Sequence, residues 1–166
     1  EGAVYFQTPD QRLEEQEEGG IKFKPMSESA MLKQFWFLMD RCEELVGFNS
    51  RGFDVPFVMI RSAIHGIRPS KNFLKGRYLY QQDRNARHID LLDQLTFEGA
   101  VWKNKGNLHM YCRAFGIESP KAGGVVGDDV AGLFKDKHYI DIARYNIGDL
   151  RATRALYERW KEFLRF

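Results

Sequence analysis

The first 25 residues alternate between apolar and polar side chains over short stretches, which is typical of β-strands. Residues 3–6 and 21–24 form two such stretches, and Pro25 ends the second one. An acidic segment, residues 10–18, lies between them and is closed by Gly19-Gly20. Its charge and its glycines predict a solvated turn or a mobile loop.

Apolar residues then recur at every third or fourth position, which predicts a helix that buries one face. This helix is expected to begin after the capping residue Ser27 and to run to about Glu44. Its predicted buried face consists of Leu32, Phe35, Trp36, Met39 and Cys42. The apolar run at residues 45–48 predicts a buried parallel strand. A second helix is expected from about Asp54 to Gly66.

The second half of the chain continues the alternation of strands and helices. Residues 88–92 predict a strand that leads into a helix, and further helices are expected at about 108–115 and 140–164. The stripe of the last helix is formed by Ile142, Tyr145, Asp149, Ala152, Leu156 and Trp160. Such an order of elements predicts a layered α/β fold.

Composition narrows the class of protein without identifying a function. The 166 residues are 43% hydrophobic and 29% charged, which is typical of one soluble globular domain. The apolar runs are far shorter than the roughly 20 residues that cross a bilayer, and no secretory signal is evident. Cys42 and Cys112 lack the spacing of a metal site. We therefore expect a cytoplasmic protein that does not associate with membranes.

The distribution of charge is more informative than the formal net charge of +2. Residues 68–88, called the basic segment below, carry six lysines and arginines against one aspartate, a net charge of +5. Phe73, Tyr78 and Tyr80 lie among these cations. Cations and aromatic rings together are typical of surfaces that bind single-stranded nucleic acid, and Lys71, Lys75 and Arg77 are the predicted contacts. The alternative is an ordinary solvated loop whose aromatic rings join the core.

Two segments place carboxylates at positions suited to chemistry. Asp54 opens a helix just after a buried strand and a short loop that contains Asn49, and ligands bind at such strand ends in open α/β sheets. The alternative is that Asp54 is only a helix N-cap and Asn49 a turn former. Tyr145 and Asp149 are four residues apart and share one helix face. A solvated Asp149 paired with a cation is the alternative there.

His88 and Asp90 are two residues apart and share one face of a predicted strand. For His88, as for the other histidines, a structural role is the favoured interpretation. The sequence contains no Ser–His–Asp nucleophile motif, glycine-rich phosphate loop or zinc-binding H-E-x-x-H.

The two carboxylate segments together resemble motifs of a known family. Asn49-x-x-x-Phe53-Asp54 and Tyr145-x-x-x-Asp149 resemble the second and third motifs of DEDD-type 3′–5′ exonucleases. More narrowly, the chain resembles the predicted 3′–5′ exonuclease family related to the proofreading domain of family B DNA polymerases. The likeness spans about residues 21–164 and includes His88-Ile89-Asp90-Leu91. It implies a ribonuclease H-like fold, a mixed sheet flanked by helices in three layers, with residues 1–166 forming one domain.

The resemblance also implies roles for individual residues. In that family four acids bind two Mg²⁺ or Mn²⁺ ions, which stabilise the attacking and leaving oxygens of phosphodiester hydrolysis. Asp149 would be a direct metal ligand, Asp54 would hold the second metal, and Tyr145 would orient the attacking water. Asn49 and Phe53 would contact the nucleic acid. The histidine subtype is disfavoured, since its histidine would stand at Arg144.

One departure from the family pattern bears on activity. The first motif, D-x-E on the opening strand, does not occur upstream of Asn49. We expect that the chain begins after that strand; the other explanation is a degenerate, inactive relative. The leading hypothesis is therefore a metal-dependent exonuclease that acts on single-stranded nucleic acid or 3′ ends. The alternatives are an inactive domain that binds nucleic acid or a protein, and an unrelated α/β domain in which Asp54 and Asp149 never meet.

Overall fold

The computed structural model describes residues 2–10, 12–101, 106–119 and 130–165. Within these residues the strands are β1 Gly2–Phe6, β2 Gln16–Glu18, β3 Ile21–Pro25, β4 Glu44–Gly47 and β5 Arg87–Asp90. The helices there are α1 Glu28–Met39, α2 Asp54–Ile64, α3 Leu91–Leu95, α4 Leu108–Ala114, α5 Val130–Lys135 and α6 Tyr139–Phe163. Single 3₁₀ turns occur at Leu79–Gln81 and Phe97–Gly99.

The protein has a mixed α/β fold with small sheets. The described strands form two sheets: β3 pairs in parallel with β1 and antiparallel with β2, while β4 pairs in parallel with β5. In the second sheet Gly47 lies opposite Asp90, so the carboxyl ends of β4 and β5 are adjacent. None of the described helices is both long enough and apolar enough to span a bilayer.

The end of the acidic segment is a strand, so the prediction of a turn or loop is wrong for residues 16–18. Gly19 and Gly20 both have positive φ angles, 55° and 76°, which suit the tight turn of a two-residue hairpin. This turn brings Glu17 opposite Lys22, and the pairing of opposite charges across the strands favours the hairpin.

The first helix is shorter than its apolar pattern predicts. It ends at Met39 instead of Glu44, and Cys42, predicted on the buried face, is exposed. Glu44 instead begins β4, where its carboxylate accepts hydrogen bonds from Arg87 and from the Tyr157 hydroxyl. Contacts with distant parts of the chain therefore override the local helical period.

Helix α6 connects two of the three apolar clusters in the described core. Its first half, including Ala143 and Ile147, packs with the buried residues of β1 and β3. Its second half, including Leu156 and Trp160, packs with Ile89 and the residues around it. Tyr145 lies between Ala143 and Ile147 on this helix, and Asp149 follows Ile147 by two residues. The third cluster joins α1 to α2 through Trp36, Val55 and Phe73.

Candidate functional site

A cavity of about 590 Å³ lies beside the carboxyl end of β4. Its walls come from β4, the loop after it, α2, the start of α4 and the middle of α6. Four of the predicted site residues line it: Asn49, Asp54, Tyr145 and Asp149. Residues far apart in sequence thus contribute polar groups to one concave and mainly apolar site, which is the usual character of a ligand-binding cavity.

Asp54 is the first residue of α2 and does not cap it. The N-cap position belongs to Phe53, and no side chain makes a capping hydrogen bond there. The alternative interpretation of Asp54 as an N-cap is therefore wrong. Limited hydration beside the cavity raises the pKa of the Asp54 carboxyl, whereas a hydrogen bond from its own backbone N–H lowers it. The negative charge of Asp90 makes a smaller raising contribution, and the net effect is a raised pKa.

Asn49 forms the turn that leads out of β4. Its φ angle of 57° lies in the left-handed region, where asparagine is better tolerated than most residues, and its carbonyl accepts a hydrogen bond from Gly52 N–H. The role of a turn former is thus confirmed for Asn49. The residue also lines the cavity, so this role does not exclude contact with a ligand.

Tyr145 and Asp149 interact within α6, as their spacing of four predicts. Burial raises the pKa of Asp149, whereas a hydrogen bond from the Tyr145 phenol lowers it, and the net effect is a raised pKa. Burial and the neighbouring Asp149 carboxylate likewise raise the pKa of Tyr145. The phenol is therefore a neutral hydrogen-bond donor at ordinary pH, able to hold either Asp149 or a bound molecule.

His88 is a buried structural residue, in agreement with the favoured interpretation. Its Nδ1 lies 3.0 Å from the Phe73 carbonyl oxygen and its Nε2 lies 2.8 Å from Ser50 Oγ. A carbonyl only accepts, so Nδ1 carries the proton and Nε2 accepts from the Ser50 hydroxyl. Burial lowers the pKa of His88, which favours this neutral form.

The carboxylates in the cavity fit a divalent metal only in part. The oxygens of Asp54 and Asp149 are the hard donors that Mg²⁺ or Mn²⁺ prefers. However, no group of three or more His, Cys, Asp or Glu side chains able to hold a metal occurs within the described ranges. Two aspartates therefore supply part of a metal site and not a complete one.

The three cations predicted to bind nucleic acid make contacts within the protein. The Lys71 ammonium donates to the carbonyl of Cys42 at 2.7 Å. Lys75 pairs with Asp83, and Arg77 pairs with Asp93. None of the three is among the described residues that line the cavity, so the structure does not bring them together with the two aspartates.

The aromatic residues near the site differ in exposure. Phe73 is only 1% exposed and stacks on Trp36, so the alternative in which its ring joins the core is correct for this residue. Tyr80, by contrast, is 82% exposed and stacks on Tyr78. Phe53, next to Asp54, is exposed and lies parallel to the ring of Phe57 at 6.1 Å.

The structure adds lining residues that the sequence did not reveal as functional. Ser50, Asn107, His109 and Asn146 place further polar groups on the cavity. Asn107 is recognisable in sequence only as a helix cap, which it is, since its side chain accepts from Met110 N–H at 2.9 Å. No local pattern distinguishes such a cap from one that also lines a cavity.

Comparison with known proteins agrees with the motifs. A family model described as a predicted 3′-5′ exonuclease related to the exonuclease domain of PolB matches residues 11–164. The match covers more than half of the chain and includes Asn49, Asp54, Tyr145 and Asp149. No curated protein matches the sequence.

Proposed function

The chain belongs to the family of predicted 3′-5′ exonucleases related to the exonuclease domain of PolB, and we propose that it hydrolyses phosphodiester bonds at nucleic-acid ends with divalent metal ions. The observation that carries this proposal is the cavity that Asp54, Tyr145 and Asp149 line together. Under this proposal the small sheets and their helices belong to a three-layer ribonuclease H-like domain.

The residues of the cavity suit distinct roles in this reaction. The carboxylates of Asp149 and Asp54 would each hold a divalent cation, and bound Mg²⁺ or Mn²⁺ would neutralise the charge that develops on the attacking and leaving oxygens. The Tyr145 phenol would donate a hydrogen bond that orients the attacking water. Asn49, which lines the cavity, and the exposed Phe53, which precedes Asp54, would contact the end of the nucleic-acid strand.

A second candidate is a catalytically inactive relative that binds nucleic acid or a protein partner. It is favoured by the lack of a third acid among the described residues that line the cavity. Two carboxylates hold metals poorly, so hydrolysis by this chain alone would then be very weak. Cation-dependent cleavage distinguishes the two candidates.

The decisive experiment measures the shortening of single-stranded DNA and RNA that carry a label at the 5′ end. It compares the 166-residue chain with a form that also carries D-x-E, if the gene encodes that motif upstream. We expect 3′–5′ shortening that requires Mg²⁺ or Mn²⁺ in the form with D-x-E. Asp149→Asn should reduce the rate by about a hundredfold or more, since the amide keeps the shape but loses the charge.

Asp136→Asn is the matched control, since it removes one charge at an exposed position outside the cavity. It should cleave at the wild-type rate. Cleavage that persists in EDTA would contradict the metal mechanism. Absence of cleavage from the D-x-E form, with retained binding of the strand, would favour the inactive relative.

A further inference from the structure

The loop of residues 48–53, which carries Asn49 and leads into α2, is held by β5. One carboxylate oxygen of Asp90 accepts a hydrogen bond from Asn49 N–H at 2.8 Å, and the other accepts from Arg51 N–H at 2.9 Å. The first oxygen also accepts from Leu92 N–H at 3.0 Å. A single carboxylate thus caps α3 and fixes two backbone groups of the loop.

His88, two residues before Asp90 on β5, also holds this loop. Its Nε2 accepts from the Ser50 hydroxyl, while its Nδ1 donates to the carbonyl of Phe73. A Cβ on Gly47 would overlap the Ser50 side chain, so the end of β4 needs a residue without one. Ser50 is therefore closely packed between Gly47 and the His88 imidazole.

Both contacts are shielded from water. Ser50, His88 and Asp90 are 5%, 1% and 3% exposed. A carboxylate as buried as Asp90 is stable only when its oxygens are hydrogen-bonded, and here each oxygen accepts at least one N–H. The lone pairs of Asp90 are directed at the loop, which distinguishes it from Asp54 in the adjoining cavity wall.

We propose that Asp90 and His88 are positioning residues, which hold the 48–53 loop in the conformation that presents Asn49 and Asp54 to the cavity. One consequence of this proposal rests on the proposed function: cation binding at Asp54 should depend on Asp90. The partners of metal ligands typically change metal affinity by 10–100-fold when they are replaced.

Asp90→Asn tests the hold on the loop directly. Asparagine keeps one oxygen but turns an NH₂ group towards a backbone N–H, so a loop hydrogen bond is lost. We expect the amide protons of Asn49 and Arg51 to exchange with solvent about tenfold faster or more, measured by NMR. Unchanged exchange at both amides would overturn the proposal.

The functional consequence is measured with Mn²⁺ alone, by relaxation of water protons during titration of the 166-residue chain. We expect Asp90→Asn to weaken Mn²⁺ binding by about tenfold or more. Thr96→Val is the matched control. It removes another buried hydrogen bond of the same region, from Thr96 Oγ1 to the Leu92 carbonyl at 2.7 Å, without touching the loop. It should lower stability and leave Mn²⁺ affinity unchanged.

Ser50→Ala is the second variant, for use if Asp90→Asn does not fold. It removes only the hydroxyl that His88 holds, and the loop amides should again exchange faster. The positioning role would be overturned if Asp90→Asn bound Mn²⁺ as tightly as the wild type does. It would also be overturned if Thr96→Val lost as much Mn²⁺ affinity as Asp90→Asn. A wild-type chain that binds no Mn²⁺ would mean that the two aspartates are not sufficient to hold the ion, and the exchange rates alone would then decide the positioning role.

Discussion

At the scale of single residues, Asp149 is a charged group in an unfavourable place. It lies on the face of α6 that also carries buried apolar residues, and burial raises its pKa despite the hydrogen bond from Tyr145. Carboxyls whose pKa is raised in a cavity are typical of functional sites, where chemistry can require a residue that stability does not favour. Asp54, with a raised pKa in the same cavity, follows the same principle.

Asp149→Asn should therefore raise the melting temperature at neutral pH by a few degrees. The folded protein binds a proton at Asp149 more tightly than the unfolded chain does, so the ionised carboxylate lowers stability above the raised pKa. This cost disappears as the pH falls through the raised pKa towards 3.8, the ordinary value. The difference in melting temperature between variant and wild type should shrink over the same range.

Calorimetry across a pH series measures this effect, and Asp136→Asn serves as the exposed control. An Asp149→Asn protein that melts at or below the wild-type temperature at pH 7 would mean that the ionised carboxylate stabilises the fold.

At the scale of elements, a polar clamp fixes α2 against α1. The Glu28 carboxylate at the start of α1 accepts two hydrogen bonds from the Arg61 guanidinium and lies 3.0 Å from His65 Nε2. Deeper in the same interface, Trp36 Nε1 donates to Ser62 Oγ at 2.9 Å. Because α2 carries Asp54, this clamp sets the orientation of one cavity wall.

Glu28→Gln should lower the free energy of unfolding at neutral pH by about 1 kcal/mol, the range of a partly exposed, charge-assisted pair. The Arg61 guanidinium holds the pKa of Glu28 at about 2, below its ordinary value of 4.5. A lowered pKa stabilises the fold above the ordinary value, and this contribution is lost as the pH falls from 4.5 towards 2. The destabilisation should therefore vanish near pH 2.

Urea denaturation at several pH values measures this change, with Glu162→Gln as an exposed control on α6. A loss of stability in Glu28→Gln that is independent of pH would assign the effect to packing and not to charge.

Helix α2 shows how far hydrophobic periodicity can predict a structure. The sequence indicates a helix from about Asp54, and α2 confirms it. Apolar residues line more than one of its faces, and the structure buries Val55 while Phe57, Ile60 and Ile64 remain exposed. The period of a sequence indicates that a helix forms; the neighbouring elements decide which of its faces is covered.

At the scale of the whole molecule, we predict that a bound single-stranded nucleic acid follows the basic segment, residues 68–88. We expect replacement of Lys71, Lys75 and Arg77 by alanine to flatten the logarithmic salt dependence of single-stranded DNA binding by about two, at about 0.7 per phosphate contact. Phosphates would have to displace Asp83 and Asp93 from the cations that they pair with in the free protein.

Replacement of Arg12, Lys33 and Arg159 by alanine is the control, because it removes the same charge from exposed positions outside the basic segment. Its slope should match that of the wild type. Equal slopes for both triple variants would mean that the basic segment is a structural loop and that the strand takes another path.

The sequence alone predicted most of the described helices. Of the residues that line the cavity, it predicted Asn49, Asp54, Tyr145 and Asp149 as functional. Ser27 was predicted to cap the first helix, and its side chain accepts a hydrogen bond from Ala30 N–H. The long stripe predicted α6, and the two motifs indicated the family that the comparison confirms. These features depend on residues within a few positions of one another, where local hydrogen bonding and side-chain periodicity operate.

Long-range contacts decided the rest. Asp90 accepts a hydrogen bond from the backbone of Asn49, 41 positions away in the sequence. Glu44 is part of a strand and not of the predicted helix, because β4 pairs with β5. The convergence of α2 and α6 on one cavity is likewise a property of the packed molecule. No local pattern encodes such contacts, because each one forms only when distant segments bury their apolar faces together and bring the polar groups within hydrogen-bonding distance.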